Sequence, residues 1–476
     1  MTTNSKVVSL FVLPLVIAGC TSTNPKPAFD DVAKQVSART GQAVRWMRAD
    51  TEQNEVEAAI SARLRTNLTA QGAVSIALLN NRALQAEFEE IGISQAGLAQ
   101  ASRLRNPSYS GNFRLPTQGP MSLNTENILT QDLLDLLTLP ARKKIAAGNL
   151  EQTKLRMADT VLKTAMEAKV AFYTVQARQQ LLKRLRAVVE VNEAGVDLST
   201  RQHSAGNITD LELASQQVSF QEAKLAWGKA QAQLRIDHER LNRLLGLWGT
   251  NTDWTIADEL PSLPEAEPSL ENLETLAINQ RLDLAAARSE QQNVEAALRL
   301  KKSVRWIPAV SVGVDAERNL DHSWVVGPTL DLEVPLFDQG QPAVARLAAQ
   351  YRQAQRRLEA LATDIRSEVR QARDALIAAR DLAEFYEKVY LPQRTRIVNE
   401  TLLQYNAMQK GTFELITAKE HELNAEREYA EAGRDYWIAR AQLERALGGR
   451  LPERAVPSPS PNMPKRSSDK HQEAEH

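Results

Sequence analysis

Residues 141–260 contain no proline. Within them Leu155, Ala158, Leu162, Ala165, Phe172, Val175, Leu182, Leu185 and Val189 recur in steps of three, four or seven. That spacing lays one apolar stripe along one side of a helix. The spacing predicts a single helix over residues 141–204, about 95 Å long at 1.5 Å per residue. Ser204-Ala205-Gly206-Asn207 ends it, because Gly and Asn take the left-handed conformation of a helix terminus. A return helix is expected over 209–245. No ordinary globular domain holds a rod of that length unless its neighbours are rods too, so the chain describes a tube or a bundle.

Composition agrees. The 58 Lys and Arg nearly balance the 59 Asp and Glu, which gives no electrostatic reason for a nucleic-acid partner. Aromatic residues are only 5% of the chain, as suits long helices with narrow contact stripes better than a thick core. No Gly-rich phosphate loop, metal-ligand spacing or Ser/His/Asp arrangement stands out, so no enzyme, catalytic residue, metal site or cofactor is expected. The six histidines are scattered, and His471 and His476 read as solvated tail residues rather than ligands.

At the N-terminus, Lys6 precedes a short apolar run that ends at Cys20, the single cysteine. This reads as a secretory signal peptide over 1–19. Ile17-Ala18-Gly19-Cys20 resembles the bacterial lipobox, which makes Cys20 the expected lipidation site and outer-membrane lipids a partner. Thr21 follows rather than Asp, the inner-membrane retention signal in enteric bacteria, and this favours the outer membrane. Residues 21–40 hold Pro25 and Pro27 and read as an extended tether, within an N-terminal unit of 20–70 that also includes a charged helix over 52–68.

A helix is expected over 74–103, ended by Asn106-Pro107. The period then drops to two. Tyr109, Gly111, Phe113 and Leu115 alternate with polar residues, while 123–139 alternates less cleanly and ends in a Leu-rich stretch that also suits a helix, closed by Pro140. In the second half, 310–317 and 323–334 form a strand pair, with Pro328 awkward inside its last strand. Each strand has about the 9 to 11 residues that cross a bilayer obliquely. A half-buried soluble sheet would show the same alternation. Another long helix is expected from 344 to 408, kinked or broken at Pro392, with a turn at Gln409-Lys410-Gly411 and a return over 413–447.

The two halves repeat. Asn80-Asn81 matches Gln280-Arg281, Asn106-Pro107 matches Ile307-Pro308, Gly206 matches Gly411, and Leu245-Gly246 matches Leu447-Gly448, at separations of 200 to 205 residues. The expected units are therefore a first repeat over 71–260, a Pro- and acid-rich linker over 261–268, a second repeat over 269–450 and a disordered tail over 451–476. Four strands cannot close a membrane barrel and open edges are not tolerated in lipid, so several copies would have to share one.

This duplicated order of helix, hairpin, very long helix, turn and return helix, over residues 74–449, resembles the TolC-type outer-membrane efflux family, many of whose members share the lipobox. The residues from Val334 through Gln341 and Phe413-Glu414-Leu415-Ile416 resemble its heavy-metal-efflux branch. The resemblance implies a mostly α-helical homotrimer with a small membrane β part. A 12-stranded β-barrel in the outer membrane would continue into a 12-helix α-barrel across the periplasm. It implies as partners a periplasmic adaptor (membrane fusion) protein and an inner-membrane efflux pump of the RND type, with no cofactor. It also implies a periplasmic gate near the two helical turns, for which Asp210 and Glu414 are the candidates by position. Both also suit ordinary helix N-terminal carboxylates. Gly206, Asn207, Gly411 and Thr412 would contact the adaptor. The competing class is a periplasmic coiled-coil adaptor or scaffold lipoprotein, which normally carries one helical hairpin rather than two.

The lipobox reading is tested at its thiol. Cys20→Ser should abolish incorporation of labelled palmitate and leave a precursor; acylation that persists in the variant overturns it.

Overall fold

The structure is a computed structural model that describes residues 22–48, 50–117, 122–267, 270–307 and 309–451. Cys20, most of the first strand loop and the tail beyond 451 lie outside it. Eleven α-helices and four strands occur among the described residues. In order they run α1 (Lys26–Thr40), α2 (Asp50–Leu64), α3 (Ala70–Asn80), α4 (Arg82–Ala101), β1 (Ser108–Arg114), β2 (Asn124–Asp132), α5 (Leu133–Ser204) and α6 (Asp210–Leu245). The second half runs α7 (Leu273–Gln280), α8 (Leu282–Val304), β3 (Ala309–Arg318), β4 (Trp324–Glu333), α9 (Gln341–Phe385), α10 (Leu391–Asn406) and α11 (Thr412–Ala446). No described helix is long and apolar enough to cross a membrane.

The long rod is longer than its sequence suggests. α5 has 72 residues, about 108 Å at the standard rise, and Pro140 lies inside it rather than before it. Asp132 starts the helix: its carboxylate accepts from the Asp135 amide at 3.1 Å. Once that cap is set, Pro140 costs one internal hydrogen bond without ending the rod. Pro392 acts differently. The helix widens into a π-turn over Tyr386–Tyr390 just ahead of it, then resumes as α10. A wider turn accommodates the missing amide without a break.

Residues 26–40 are helical, not an extended tether. Pro25 and Pro27 occupy the start of α1, where proline lacks only an amide that would be unpaired anyway. Phe29, Val32 and Val36 follow at helical spacing and are buried. Phe29 meets the ring of Phe88 edge-on, with centroids 5.1 Å apart. The 261–268 linker is likewise held. Arg380 donates to the carbonyls of Pro264 and Glu265, at 2.8 and 3.1 Å. Glu267 accepts from Arg380 at 2.9 Å and Arg440 at 2.8 Å.

The expected helix over 74–103 is divided at Asn81, where the backbone is extended (φ −62°, ψ 114°). Asn81 ends α3 and caps α4, accepting from the Leu84 amide at 3.0 Å. Arg281 divides α7 from α8 with nearly the same angles (φ −66°, ψ 126°). Each break receives the end of its repeat's return helix. Asn80 Nδ2 donates to the carbonyls of Leu245 and Gly246 at 2.9 and 2.8 Å, and Asn81 Nδ2 to Leu244 at 2.9 Å. In the second repeat the Arg281 guanidinium reaches the Ala446 carbonyl at 3.5 Å and is paired with Asp283 and Glu368. Gly246 has φ +67°, and a Cβ there would overlap the Asn80 carbonyl, so only glycine allows this approach. The sequence matches at 80–81, 245–246 and their counterparts are the two sides of one contact, made twice.

The strands form one antiparallel sheet in the order β1-β2-β3-β4, with β2 and β3 paired although α5 to α8 lie between them in sequence. The register aligns Tyr109, Leu129, Val314 and Pro328 across the sheet. Phe113, Thr125, Arg318 and Trp324 form a parallel row on the same face, because directly paired residues share a face. This face is mostly apolar and exposed. The opposite face is polar: Arg114 pairs with Glu126 at 2.8 Å, and Asn124 donates to Glu317 at 2.9 Å. Pro328 sits in an edge strand, where a missing donor is tolerated.

Asn80→Ala leaves the Leu245 and Gly246 carbonyls without their side-chain donor at a buried site. The purified protein should lose about 1–3 kcal/mol in chemical denaturation. An unchanged midpoint would mean that this contact does not hold the repeat together.

Candidate functional site

Both helical turns lie at the end of the bundle far from the sheet, and the rods bring them side by side. Asn192 of α5 donates to Glu420 of α11. A Cβ on Gly195 would stand 3.1 Å from Ile416 of α11 and 3.3 Å from Gln216 of α6. α5 therefore runs between the two return helices near the tips.

In the first turn α5 ends at Ser204, and Gly206 takes φ +75°. The Gly206 and Asn207 amides donate to the carbonyls of His203 and Gln202, at 2.8 and 2.9 Å. A capping box then starts α6. The Glu212 amide donates to Thr209 Oγ1 at 3.2 Å, and the Thr209 amide donates to the Glu212 carboxylate at 2.7 Å. The box holds the Glu212 carboxyl below the usual range, chiefly through the Thr209 amide. Asp210 is almost fully exposed and meets His203 Nε2 at 2.7 Å.

The second turn corrects the repeat alignment. Its left-handed residue is Met408, at φ +58°, whereas Gly411 is extended (φ −83°, ψ 170°) and precedes α11 as its cap. The Met408 amide donates to the Tyr405 carbonyl at 2.9 Å and the Gln409 amide to the Gln404 carbonyl at 2.8 Å, the same pair of bonds that Gly206 and Asn207 make to His203 and Gln202. Gly206 thus corresponds to Met408, Thr209 to Gly411, Asp210 to Thr412 and Glu212 to Glu414. Glu414 folds back over Gly411, its carboxylate 2.7 Å from where a Cβ would stand. The equivalent pair of acids is Glu212 and Glu414. Asp210 has no acidic counterpart, and Thr412 takes its place.

The two tips therefore differ in chemistry. The first is polar and carries the His203–Asp210 contact. The second presents Met408, 94% exposed. Gly206, Asn207 and Gly411 are exposed and Thr412 partly so. Among the described residues no three His, Cys, Asp or Glu side chains are grouped as metal ligands would be.

The flanks of the chain are as informative as the tips. α6 carries Leu211, Val218 and Leu225 at heptad spacing, all more than half exposed. α9 and α10 expose Leu382, Phe385, Val389 and Leu403. Alongside them, β1 and β4 are the two unpaired edges of the sheet.

An antiparallel sheet of four strands, set at one end of two duplicated helical hairpins whose rods exceed 90 Å, is the fold of the TolC-type outer-membrane channels. The chain has TM-score 0.69 to the CmeC outer-membrane channel of Campylobacter jejuni, at 14% identity over 81% of this chain and 89% of that one. It has TM-score 0.65 to CusC, at 16% identity over 81% and 93%. In sequence it is 22% identical over 393 residues to the cobalt-zinc-cadmium resistance protein CzcC of Cupriavidus metallidurans, covering 80% of this chain and 90% of that protein. No family model matches the chain.

Since the folded Glu212 carboxyl is depressed, its contribution is present above the ordinary glutamate range and is lost as pH falls through its lowered value. Amide protection at the start of α6 should fall with that pH decrease. Thr209→Ala should remove about fivefold of it at neutral pH. Hydrogen exchange that is flat in both tests would show the box to be absent in solution.

Proposed function

We propose that the chain is the outer-membrane duct of a tripartite efflux system, exporting small solutes across the periplasm and the outer membrane, with heavy-metal cations as cargo. The fold carries the first part: the sheet, the rods and the tip turns lie in one line, as a conduit requires. The resemblance to CzcC, a protein named for resistance to cobalt, zinc and cadmium, supports the cargo.

In this reading the apolar face of the sheet meets lipid and the polar face lines the lumen. From Trp324 to Glu333, β4 is about 30 Å long. Tilted by 35–45°, it spans roughly the 25 Å of an outer-membrane apolar band. Phe113 and Trp324 fall at one rim, and the exposed Trp306, Leu336 and Phe337 at the other. Three copies would close β4 of one chain onto β1 of the next, giving twelve strands. The exposed stripes of α6 and α9–α10 would meet in the same closure. The adaptor would dock on the tips at Gly206, Asn207, Gly411 and Thr412, with Met408 beside them, and an inner-membrane pump of the RND type would complete the assembly. Anchoring through Cys20 would hold the chain start at the same membrane. A periplasmic adaptor or scaffold accounts for neither the second hairpin nor the exposed apolar sheet face.

Asp210 and Glu414 are the proposed gate acids. By threefold repetition each would become a ring of three carboxylates, which enriches cations in a narrow opening. The purified protein should form channels in planar bilayers, and Asp210→Ala/Glu414→Ala should lower their cation selectivity. A protein that forms no channels refutes the duct. Channels whose selectivity is unchanged in the double variant leave the duct standing and return the two acids to helix-end roles.

A further inference from the structure

Directly beneath the sheet, the end of α4, the segment that follows it and the third turn of α5 enclose a cleft of about 610 Å³ lined by Arg103, Arg105, Arg142 and Thr23. One carboxylate pairs with two of the three guanidiniums. Asp135, 2% exposed, takes Arg142 Nη1 at 2.6 Å and Arg105 Nε at 3.6 Å, and accepts the Arg105 amide at 3.0 Å. Arg142 Nη2 also donates to the Arg103 carbonyl at 3.3 Å, which ties the two sides of the cleft together. Arg103 has no ion-pair partner among the described residues, and Arg142 Nε has no acceptor. The cleft therefore carries about two uncompensated positive charges and free donors in planar, fork-like arrays, the arrangement that suits phosphate.

The surroundings point to a membrane source for that phosphate. Leu133 and Leu137, both exposed, lie nine and five residues before Arg142 on α5 and continue the apolar surface of the sheet. The four stretches joining sheet to helices (99–107, 133–150, 296–307 and 334–350) hold ten basic and two acidic residues, in a chain whose charges nearly balance as a whole. Across the same junction, the Arg305 guanidinium covers the exposed Trp306 ring at 4.6 Å. Basic groups and an exposed indole bordering an apolar band are the chemistry of a headgroup layer. The chain start is fixed there as well, since Gln95 Nε2 donates to the Ser22 carbonyl at 2.7 Å. Acyl chains on Cys20 would begin within about 10 Å of extended chain from Thr23.

We propose that the Arg103–Arg105–Arg142 cleft binds the phosphodiester headgroup of an anionic phospholipid in the leaflet that faces the helices. This rests on the reading that the sheet crosses the membrane. The site would fix the depth of the sheet in the bilayer. It would also place a lipid where the first rod leaves the membrane.

The test uses the purified full-length protein in detergent, titrated with short-chain phosphatidylglycerol or phosphatidylcholine, with retained lipids counted by native mass spectrometry. Arg103→Gln/Arg105→Gln removes two guanidiniums and leaves the buried Arg142–Asp135 pair intact. Arg356→Gln/Arg357→Gln removes the same charge from the exposed side of α9. The native protein should prefer phosphatidylglycerol by about tenfold. The cleft variant should lose that preference while the α9 variant keeps it. Equal retention of both lipids by the native protein, or an equal loss in both variants, overturns the site. Displacement of the lipid by an equal concentration of glycerol 3-phosphate overturns the assignment to lipid in favour of a soluble phosphate. Channel formation by the same samples in planar bilayers separates the two readings: channels without lipid preference sink the cleft alone, and no channels sink the membrane reading.

Discussion

A helix of 72 residues cannot be held by any one partner, and the rest of the chain is arranged to hold α5 in relay. Near the sheet it lies against α4 and α8. At the waist it meets α1, α3 and the end of α6, where Ala158, Val161, Leu162, Ala168, Phe172 and Val175 are buried in the main core. Beyond Leu185 the buried residues of α5 are Asn192, Gly195 and Ser199, all small or polar. α10, which runs toward the same end, has no buried residue at all. Apolar burial is the main stabilising term, so the tip half of the bundle is the weakly held half. The waist is rigid because the cores are there. Separating the tip helices would expose little apolar surface of this chain, which is what the proposed gate would need.

The duplication keeps geometry and lets chemistry change. At each helix break the chain turns at the same angles and receives the end of a return helix. In one repeat two asparagine amides satisfy the orphan carbonyls. In the other a buried guanidinium reaches one carbonyl, with Asp283 and Glu368 compensating its charge. Amides solve the problem without burying charge. The arginine solution works only because both carboxylates are within reach, since an unpaired buried charge costs several kcal/mol. The tips diverge in the same way: a left-handed glycine in one turn, a left-handed methionine in the other.

Much of this was legible in the sequence. Periodicity marked the rods, the strands and their order, because a long amphipathic stripe and a two-residue alternation have no other common explanation. The misreadings each have a local cause. Pro25 and Pro27 masked α1, although Phe29, Val32 and Val36 already had helical spacing and proline is well suited to a first turn. Pro140 was read as a boundary, yet the boundary signal was Asp132, a cap eight residues earlier. Glycine marks only the first turn, and aligning Gly206 with Gly411 places the second three residues late; the pairing of Thr209-x-x-Glu212 with Gly411-x-x-Glu414 is the better guide, since caps are fixed by hydrogen bonds. The arginine cleft was not legible at all. Its residues are 39 positions apart in sequence, and only the packing of α4 on α5 brings Arg103 to Arg142.

If the sheet crosses a membrane as proposed, the number of copies would follow from what an opening requires. Each chain supplies four strands with two bare edges, and a bare edge in lipid leaves backbone donors and acceptors unsatisfied. Two copies would give eight strands, a barrel whose interior side chains fill it. The polar face carries Arg114, Glu126, Asp315 and Glu317, long or charged groups that an eight-stranded interior would have to bury without water. On that reading three copies would be the smallest number that closes every edge and still leaves room for solvent around those charges. The helical flanks impose the same condition independently, because the heptad on α6 needs an apolar partner that its own chain does not place there, and the stripe on α9–α10 is the surface left to provide it. A barrel of another size would change the angle at which those two helices meet. Strand closure and helix closure therefore constrain one number together.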